Sequence, residues 1–242
     1  MSIHLLFSGP IRPNIECVQF VLNNYKKQFE NYNIKTYLSA WNNNINSYEE
    51  LNKLFDYVVI NDEPSDEYIY NNLTEKTRQQ QQLHNTKNQI DSWTLGIYKM
   101  FFGTTYLIKY INENNLIDDN DIAMRIRLDC IFELKEWDKL LKSVERDPNK
   151  YYVNYVKGCM DYSDWYGISI YKNIKNIWNL HNIDFLNNIV KQSFNCEMVV
   201  KNMTLLHNIE SVNIKVILGY NPDNYIVRKF IDTDNYKKHY YE

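Results

Sequence analysis

At 242 residues, 44% hydrophobic and 24% charged, the chain is long enough to bury one sizeable core and too apolar to be disordered. A formal charge of −3 and a pI near 6.0 argue against a general attraction to nucleic acid, which calls for a basic domain or stripe. Cys17, Cys130, Cys159 and Cys196 form no CxxC pair, and no His stands at zinc-ligand spacing. Neither a zinc site nor a disulfide framework is signalled, so a reducing compartment, the cytoplasm, fits.

The short apolar run near the amino terminus lacks a basic leader and a small-residue cleavage pattern, so residues 3–7 read as a first strand. A turn through Ser8, Gly9, Pro10, Ile11, Arg12 and Pro13 follows, and then Ile15, Val18, Val21, Leu22 and Tyr25 recur at helical spacing. Residues 34–39 read as a second strand ending near Trp41, residues 48–55 as a short helix, and residues 57–60 as a third strand closed by Asp62, Glu63 and Pro64. Alternating strands and helices imply a largely parallel sheet and one α/β domain over residues 1–242.

Residues 65–87 are polar and include four consecutive glutamines, suiting a surface helix or loop. Residues 88–114 are apolar enough for a long helix on the sheet, with an interruption expected near Gly103. Residues 121–129 read as a strand with Ile122, Met124, Ile126 and Leu128 on one face and Arg125, Arg127 and Asp129 on the other. Beyond it the pattern predicts a helix at 137–144, strands at 151–156 and 166–170, a short helix at 174–180, a helix from about 194 through 206, and a late strand at 211–218. Residues 220–242 are aromatic and basic but aperiodic. No apolar run approaches the roughly 20 residues needed to span a bilayer, so there is no transmembrane segment and any membrane contact would be peripheral.

In an open α/β sheet ligands bind beyond the carboxyl ends of the strands. The row Arg125, Arg127, Asp129 ends there. Guanidiniums suit phosphate oxygens, and a carboxylate at a strand end can hold a divalent cation bridging a diphosphate, so the row suggests a nucleotide diphosphate. Pairing of Asp129 with its arginine neighbours on a half-exposed strand accounts for the same residues. The tips Ser8, Gly9, Pro10 with Arg12, then Ser39 with Trp41, then Asp62, would lie together on the same rim. Trp41 would offer a stacking face, Asp62 an acceptor for base or ribose, and the amides near Gly9 a cradle for phosphate. Polar loops around a core Trp41 are the alternative. Asn88 and Gln89, at the start of the long helix, reach a ligand or cap the helix. Asp161 and Asp164 precede an aromatic strand, where Asp164 could accept a proton or simply belong to a turn. Glu197, at a helix start, suits a general base or a capping carboxylate.

Taken in order, Phe7-Ser8-Gly9-Pro10-Ile11, Tyr37 through Trp41, Asn61-Asp62-Glu63-Pro64, Asn88-Gln89, Arg125 through Asp129, Ser163 through Gly167 and Asn195-Cys196-Glu197 resemble the WavE-type family of lipopolysaccharide-synthesis glycosyltransferases. The resemblance spans residues 3–206. It implies an α/β fold, a GT-A-like Rossmann-type sandwich with a mostly parallel central sheet flanked by helices. It also implies transfer of a sugar from a nucleotide-sugar donor to an acceptor hydroxyl of a glycan or glycoconjugate, with a divalent metal (Mn2+ or Mg2+). By position, Asp129 would be the metal-binding aspartate, preceded by the basic Arg127, in an Arg-x-Asp arrangement where many GT-A enzymes carry Asp-x-Asp. Glu197 would be the base that removes the acceptor proton, with Asp164 the other candidate. A catalytically silent module of the same fold, binding nucleotide, glycan or protein, is the second reading. Single-strand nucleic-acid binding through the tyrosines and the tail around Lys237 and Lys238 is a third, opposed by the net charge.

Overall fold

The amino-terminal elements alternate as the periodicity predicts: β1 (Ser2–Ser8), α1 (Ile15–Gln28), β2 (Asn33–Trp41), α2 (Tyr48–Leu54) and β3 (Tyr57–Asn61). The computed structural model describes residues 2–11, 15–42, 48–75, 92–128, 130–134, 136–153, 155–156, 161–162, 166–180, 196–214, 217–220 and 228–231. Within these, α3 (Asp66–Asn72) is started by Ser65, whose hydroxyl accepts from the Tyr68 amide at 3.0 Å and so satisfies one of the orphan donors of the first turn. Then come α4 (Ser92–Glu113), β4 (Ile122–Arg127), β5 (Cys130–Glu133), α5 (Trp137–Arg146), β6 (Lys150–Val153), β7 (Tyr155–Val156), β8 (Asp161–Tyr162), β9 (Tyr166–Ile170), α6 (Tyr171–Trp178), α7 (Cys196–Leu206), β10 (Glu210–Asn213), β11 (Ile217–Tyr220) and β12 (Arg228–Ile231).

Seven strands form the central sheet in the order β10-β6-β9-β4-β1-β2-β3. β1 pairs in parallel with β2 and β4, β2 with β3, and β10 with β6, whereas β9 is antiparallel to β4 and β6. A short antiparallel return needs no crossover helix, which is how β6 and β9 can be neighbours across so brief a connection. The result is a mostly parallel α/β sandwich, as the alternation of elements predicts. Ile3, Leu5, Phe7, Leu38, Met124 and Ile126 bury one sheet face against Val21 and Leu22 of α1, Leu51 of α2 and Leu141 of α5. Leu6, Tyr37 and Ala123 bury the other against Tyr98, Phe101 and Ile108 of α4, Ile177 of α6 and Val200 of α7.

Four expectations are corrected. The long helix is continuous through Gly103, which lies against the Trp41 ring at ordinary packing distance. The late strand divides in two: β10 joins the central sheet, while β11 joins a separate three-stranded sheet in the order β11-β12-β5. The aperiodic carboxyl-terminal stretch contains β12, which pairs with β5 in parallel and β11 antiparallel. Four-residue strands leave little period to read. Finally, the polar face of β4 is not solvent-facing: helices cover both sides of the sheet, and Ala123 and Arg125 are as buried as Met124 and Ile126.

Candidate functional site

From β1 the chain builds outward to β2 and β3 on one side and later returns to place β4 on the other, so the β1–β4 boundary is the topological switch point of the sheet. Sheets of this kind open a crevice there, beyond the carboxyl ends of the strands. The register puts Ser8 beside Arg127 of β4 and beside Ser39 of β2, and Trp41 beside Asn61 of β3. Gly9 turns the chain away from the rim at φ +135°, a conformation open to glycine, and its amide donates to the Ser39 carbonyl at 3.3 Å. The tips of β1 to β4 therefore meet on one rim, as expected of a parallel sheet.

Beneath that rim lies a polar layer that the sequence reading missed. The Ser8 hydroxyl hydrogen-bonds Thr104 of α4 at 2.8 Å and accepts from the Arg125 guanidinium at 3.4 Å. Arg125 is 0% exposed, and its guanidinium carbon lies 4.2 Å from the centre of the Trp178 ring, which in turn stacks on Phe101. The cation is thus sheltered by an aromatic face. Trp178 Nε1 donates to the Tyr151 hydroxyl at 3.3 Å, and that hydroxyl occupies the space a Cβ on Gly167 would need. Arg125 and Gly167 are direct neighbours across β4 and β9, so one bulky layer (Arg125, Trp178, Tyr151) is accommodated by one missing side chain.

The candidates separate accordingly. Arg127, one layer above Arg125, is half-buried at the end of β4. Trp41 is only 3% exposed, packed on Gly103 and edge-on to Tyr106, so its ring is a packing surface and the expected stacking face is turned inward. Ser39 is buried and accepts from Asn61 Nδ2 at 3.5 Å. Asp62 is exposed and accepts from Asn42 at 3.4 Å. Glu63 is held by Lys99 of α4, whose ammonium lies 3.0 Å from Glu63 and 2.7 Å from Asp66. Burial pulls the Lys99 pKa down, but the hydrogen bonds it donates to Asp66 and Glu63 outweigh that and hold it above the ordinary lysine range.

Along α4, Lys99, Gly103 and Thr104 reach the β3–α3 loop, Trp41 and Ser8 in turn, so this helix organises the rim from below. Of these three only Lys99 and Gly103, four residues apart, share a helix face, and Gly96, Thr105 and Lys109 on the same helix leave no distinctive signal in the sequence. Arg12, Asn88, Gln89, Asp129 and Asp164 lie outside the described residues, and Glu197 is described only by its backbone in the first turn of α7. Among the described residues no three His, Cys, Asp or Glu side chains gather as a metal site. Likewise, among them no helix is long and apolar enough to cross a membrane.

No family model matches the chain, and no curated protein sequence does either. Among solved structures it is similar to a galactosyltransferase, LgtC. That protein was solved in complex with donor and acceptor sugar analogues; the two chains are 10% identical, and the superposition covers 99% of this chain and 90% of that one with a TM-score of 0.45. So distant a likeness carries no residue from one chain to the other. The WavE-type resemblance accordingly rests on the ordered motifs alone.

Proposed function

We propose that this chain is a GT-A-like glycosyltransferase that moves a sugar from a nucleotide-sugar donor to a hydroxyl of a glycan or glycoconjugate, of lipopolysaccharide type, in the cytoplasm. The observation that carries the reading is the register at the switch point. Arg127 stands beside Ser8 at the strand end where sheets of this kind take ligands, and Asp129 follows two residues later along the same chain. A diphosphate bound there is a dianion or more, and a guanidinium at the strand end with amides near Gly9 is the chemistry that holds it. Asp62, exposed at the tip beyond β3, is assigned as the acceptor for ribose or base.

In transfer, the acceptor oxygen forms a bond to the anomeric carbon as that carbon's bond to the diphosphate oxygen breaks. The acceptor proton passes to a carboxylate, and the leaving diphosphate takes the electron pair. Glu197 is assigned as that base, because the start of α7 favours an ionised carboxylate; Asp164 is the second candidate. Arg127 steadies the charge of the leaving group. Of the ligand types a divalent cation prefers, the residues proposed to hold it here offer Asp129, fewer than a protein-only cage needs, so a cation would be shared with the diphosphate and water. When bound there it would supply further charge neutralisation. Arg125 and Trp41 are assigned to support of the rim and not to ligand contact, since both are enclosed by α4 and its neighbours.

The test is a thermal-shift screen of the full chain with UDP, GDP and CDP, each with and without manganese, because a ligand selective for the folded state raises its apparent stability. One nucleotide is expected to raise the midpoint, and Asp129→Ala should abolish donor turnover while retaining the fold. No shift with any nucleotide would replace the transferase with a module that binds glycan or protein.

A further inference from the structure

At the opposite end of the sheet from the rim, His4 of β1 is 1% exposed, yet both its ring nitrogens face polar partners. Nδ1 lies 2.9 Å from the Tyr37 hydroxyl of β2. Nε2 lies 3.4 Å from Asp121 Oδ2, an ion-pair distance and not a well-formed hydrogen bond. That carboxylate oxygen also accepts from the Asp118 amide at 3.2 Å, which keeps it in place, and the Asp121 side chain is 39% exposed, so it forms the solvent end of the chain of groups. The Tyr37 hydroxyl has a second acceptor within reach, the Leu116 carbonyl in the turn after α4, at 3.4 Å. The Tyr37 ring itself is held by a parallel stack on Tyr57 with centroids 4.8 Å apart, leaving the hydroxyl hydrogen as the part free to rotate.

Two hydrogen-bond arrangements at Nδ1 follow. A carboxylate opposite Nε2 favours the tautomer with the proton on that nitrogen, so in the neutral ring Nε2–H points at Asp121 and Nδ1 accepts from the Tyr37 hydroxyl. Adding a proton makes Nδ1 a donor. The Tyr37 oxygen then accepts from Nδ1–H, and its own hydrogen turns to the Leu116 carbonyl. In both states Nδ1 and the Tyr37 hydroxyl stay bonded to each other, and the Leu116 carbonyl gains its donor in the charged state, so the buried ring can change charge without opening the fold. We infer that His4, Tyr37 and Asp121 form a proton-operated latch in which charging His4 transfers the Tyr37 hydroxyl hydrogen bond from β1 to the turn between α4 and β4.

The surrounding charges are mixed. Asp121 and Asp118 favour the charged ring from the turn before β4, Lys35 beside His4 on β2 opposes it, and burial opposes it most, leaving the His4 pKa below the ordinary 6.5. Tyr57, Asp56 and Asp121 together with burial push the Tyr37 hydroxyl far above the ordinary tyrosine range, so it stays protonated in both states and can always donate. Tyr171 of α6, whose hydroxyl donates to Asn112, and Asp119, paired with Lys175, lie at this end as well.

Long-range proton–nitrogen correlation spectra of the histidine rings in the full chain, with His4 assigned through His4→Gln, read the tautomer and its titration directly. The expected results are an Nε2–H tautomer in the neutral ring and a Tyr37 hydroxyl resonance that moves with the His4 titration. Tyr37→Phe should lower the His4 midpoint relative to the native chain, because the charged Nδ1–H loses its acceptor and a charged donor suffers more from that loss than a neutral acceptor does. Asp121→Asn should lower the midpoint as well. An Nδ1–H tautomer in the neutral native ring, or a His4 midpoint unmoved by Tyr37→Phe, would overturn the latch. If Tyr37→Phe did not fold, the native tautomer and the coupled hydroxyl resonance would decide it alone.

Discussion

At the amino-terminal end of the sheet, the His4 ring, the Tyr37 hydroxyl and the Asp121 carboxylate face one another, and Asp56 takes the Thr36 amide at 2.7 Å and its hydroxyl at 2.8 Å while its own amide donates back to that hydroxyl. At the carboxyl-terminal rim, Ser8, Thr104 and Arg125 also bond one another, but only in the layer beneath; above them Arg127 is half-buried, and Asp62 and Asn42 are exposed. At the first end each of these groups faces a protein partner, with His4, Thr36 and Tyr37 buried and the two carboxylates reaching solvent. The second carries a closed layer under a polar, more open one, at the place where the strand order reverses. That contrast is why a ligand is assigned to the second end and a proton to the first, although the two ends draw on the same residue classes.

The largest expected effect separates the two arginines of β4. Arg125→Ala should cost about 3 kcal/mol in urea unfolding, through a cavity beside Trp178 and a Ser8 hydroxyl left with one partner fewer. Arg125→Met, which keeps most of the volume and removes a buried charge, should cost less than about 1.5 kcal/mol. If the alanine variant were as stable as the native chain, Arg125 would not be part of the supporting layer. Next, Asp56→Ala should cost about 1–2 kcal/mol without changing nucleotide binding, since it strips the part-buried Thr36 amide of its acceptor at the far end from the rim. Altered nucleotide affinity in that variant would break the division between the ends.

The pH response is smaller and belongs to one proton. The unfolded chain binds a proton on His4 near 6.5, whereas the folded chain holds the ring neutral to lower pH, so the unfolded state binds more protons between the two values. This contribution to stability is complete above about 6.5, and it is lost as pH falls through the folded value. Urea midpoints measured down that range should fall less steeply in His4→Gln than in the native chain; equal slopes would remove His4 from the acid response. The smallest change in stability is expected for Arg127→Ala, within about 0.5 kcal/mol for a half-buried strand end. The same variant should weaken nucleotide binding in calorimetric titration, and unchanged affinity would take Arg127 off the rim's ligand surface.

The strands and helices of the amino-terminal part were legible because each is long enough to show its own period: Ile3, Leu5 and Phe7 share one face of β1, and Val18, Val21, Leu22 and Tyr25 share one side of α1. The carboxyl-terminal elements were not, since β5, β11 and β12 have four residues each, too few to show a period, and β5 and β12 meet across a long stretch of chain. At the rim, the strand tips near Ser8, Ser39 and Asp62 could be anticipated from polar residues closing apolar runs. The tethering by Lys99 and Thr104 could not, because both sit in a helix whose facing strands are unknown until the sheet is assembled.

Local order along the chain was enough to specify an α/β alternation, a mostly parallel sheet and a polar collection of strand ends, because period, turn residues and strand termination are properties of neighbours in sequence. Depth was decided by tertiary structure alone. Arg125 and Arg127 carry the same side chain on the same face of one strand, and nothing within ten residues distinguishes them; the difference comes from Trp178, Phe101 and Thr104, which arrive from other elements and close over the first. Burial depends on what packs from elsewhere, so a strand pattern can say which residues share a side but not which of them meets water.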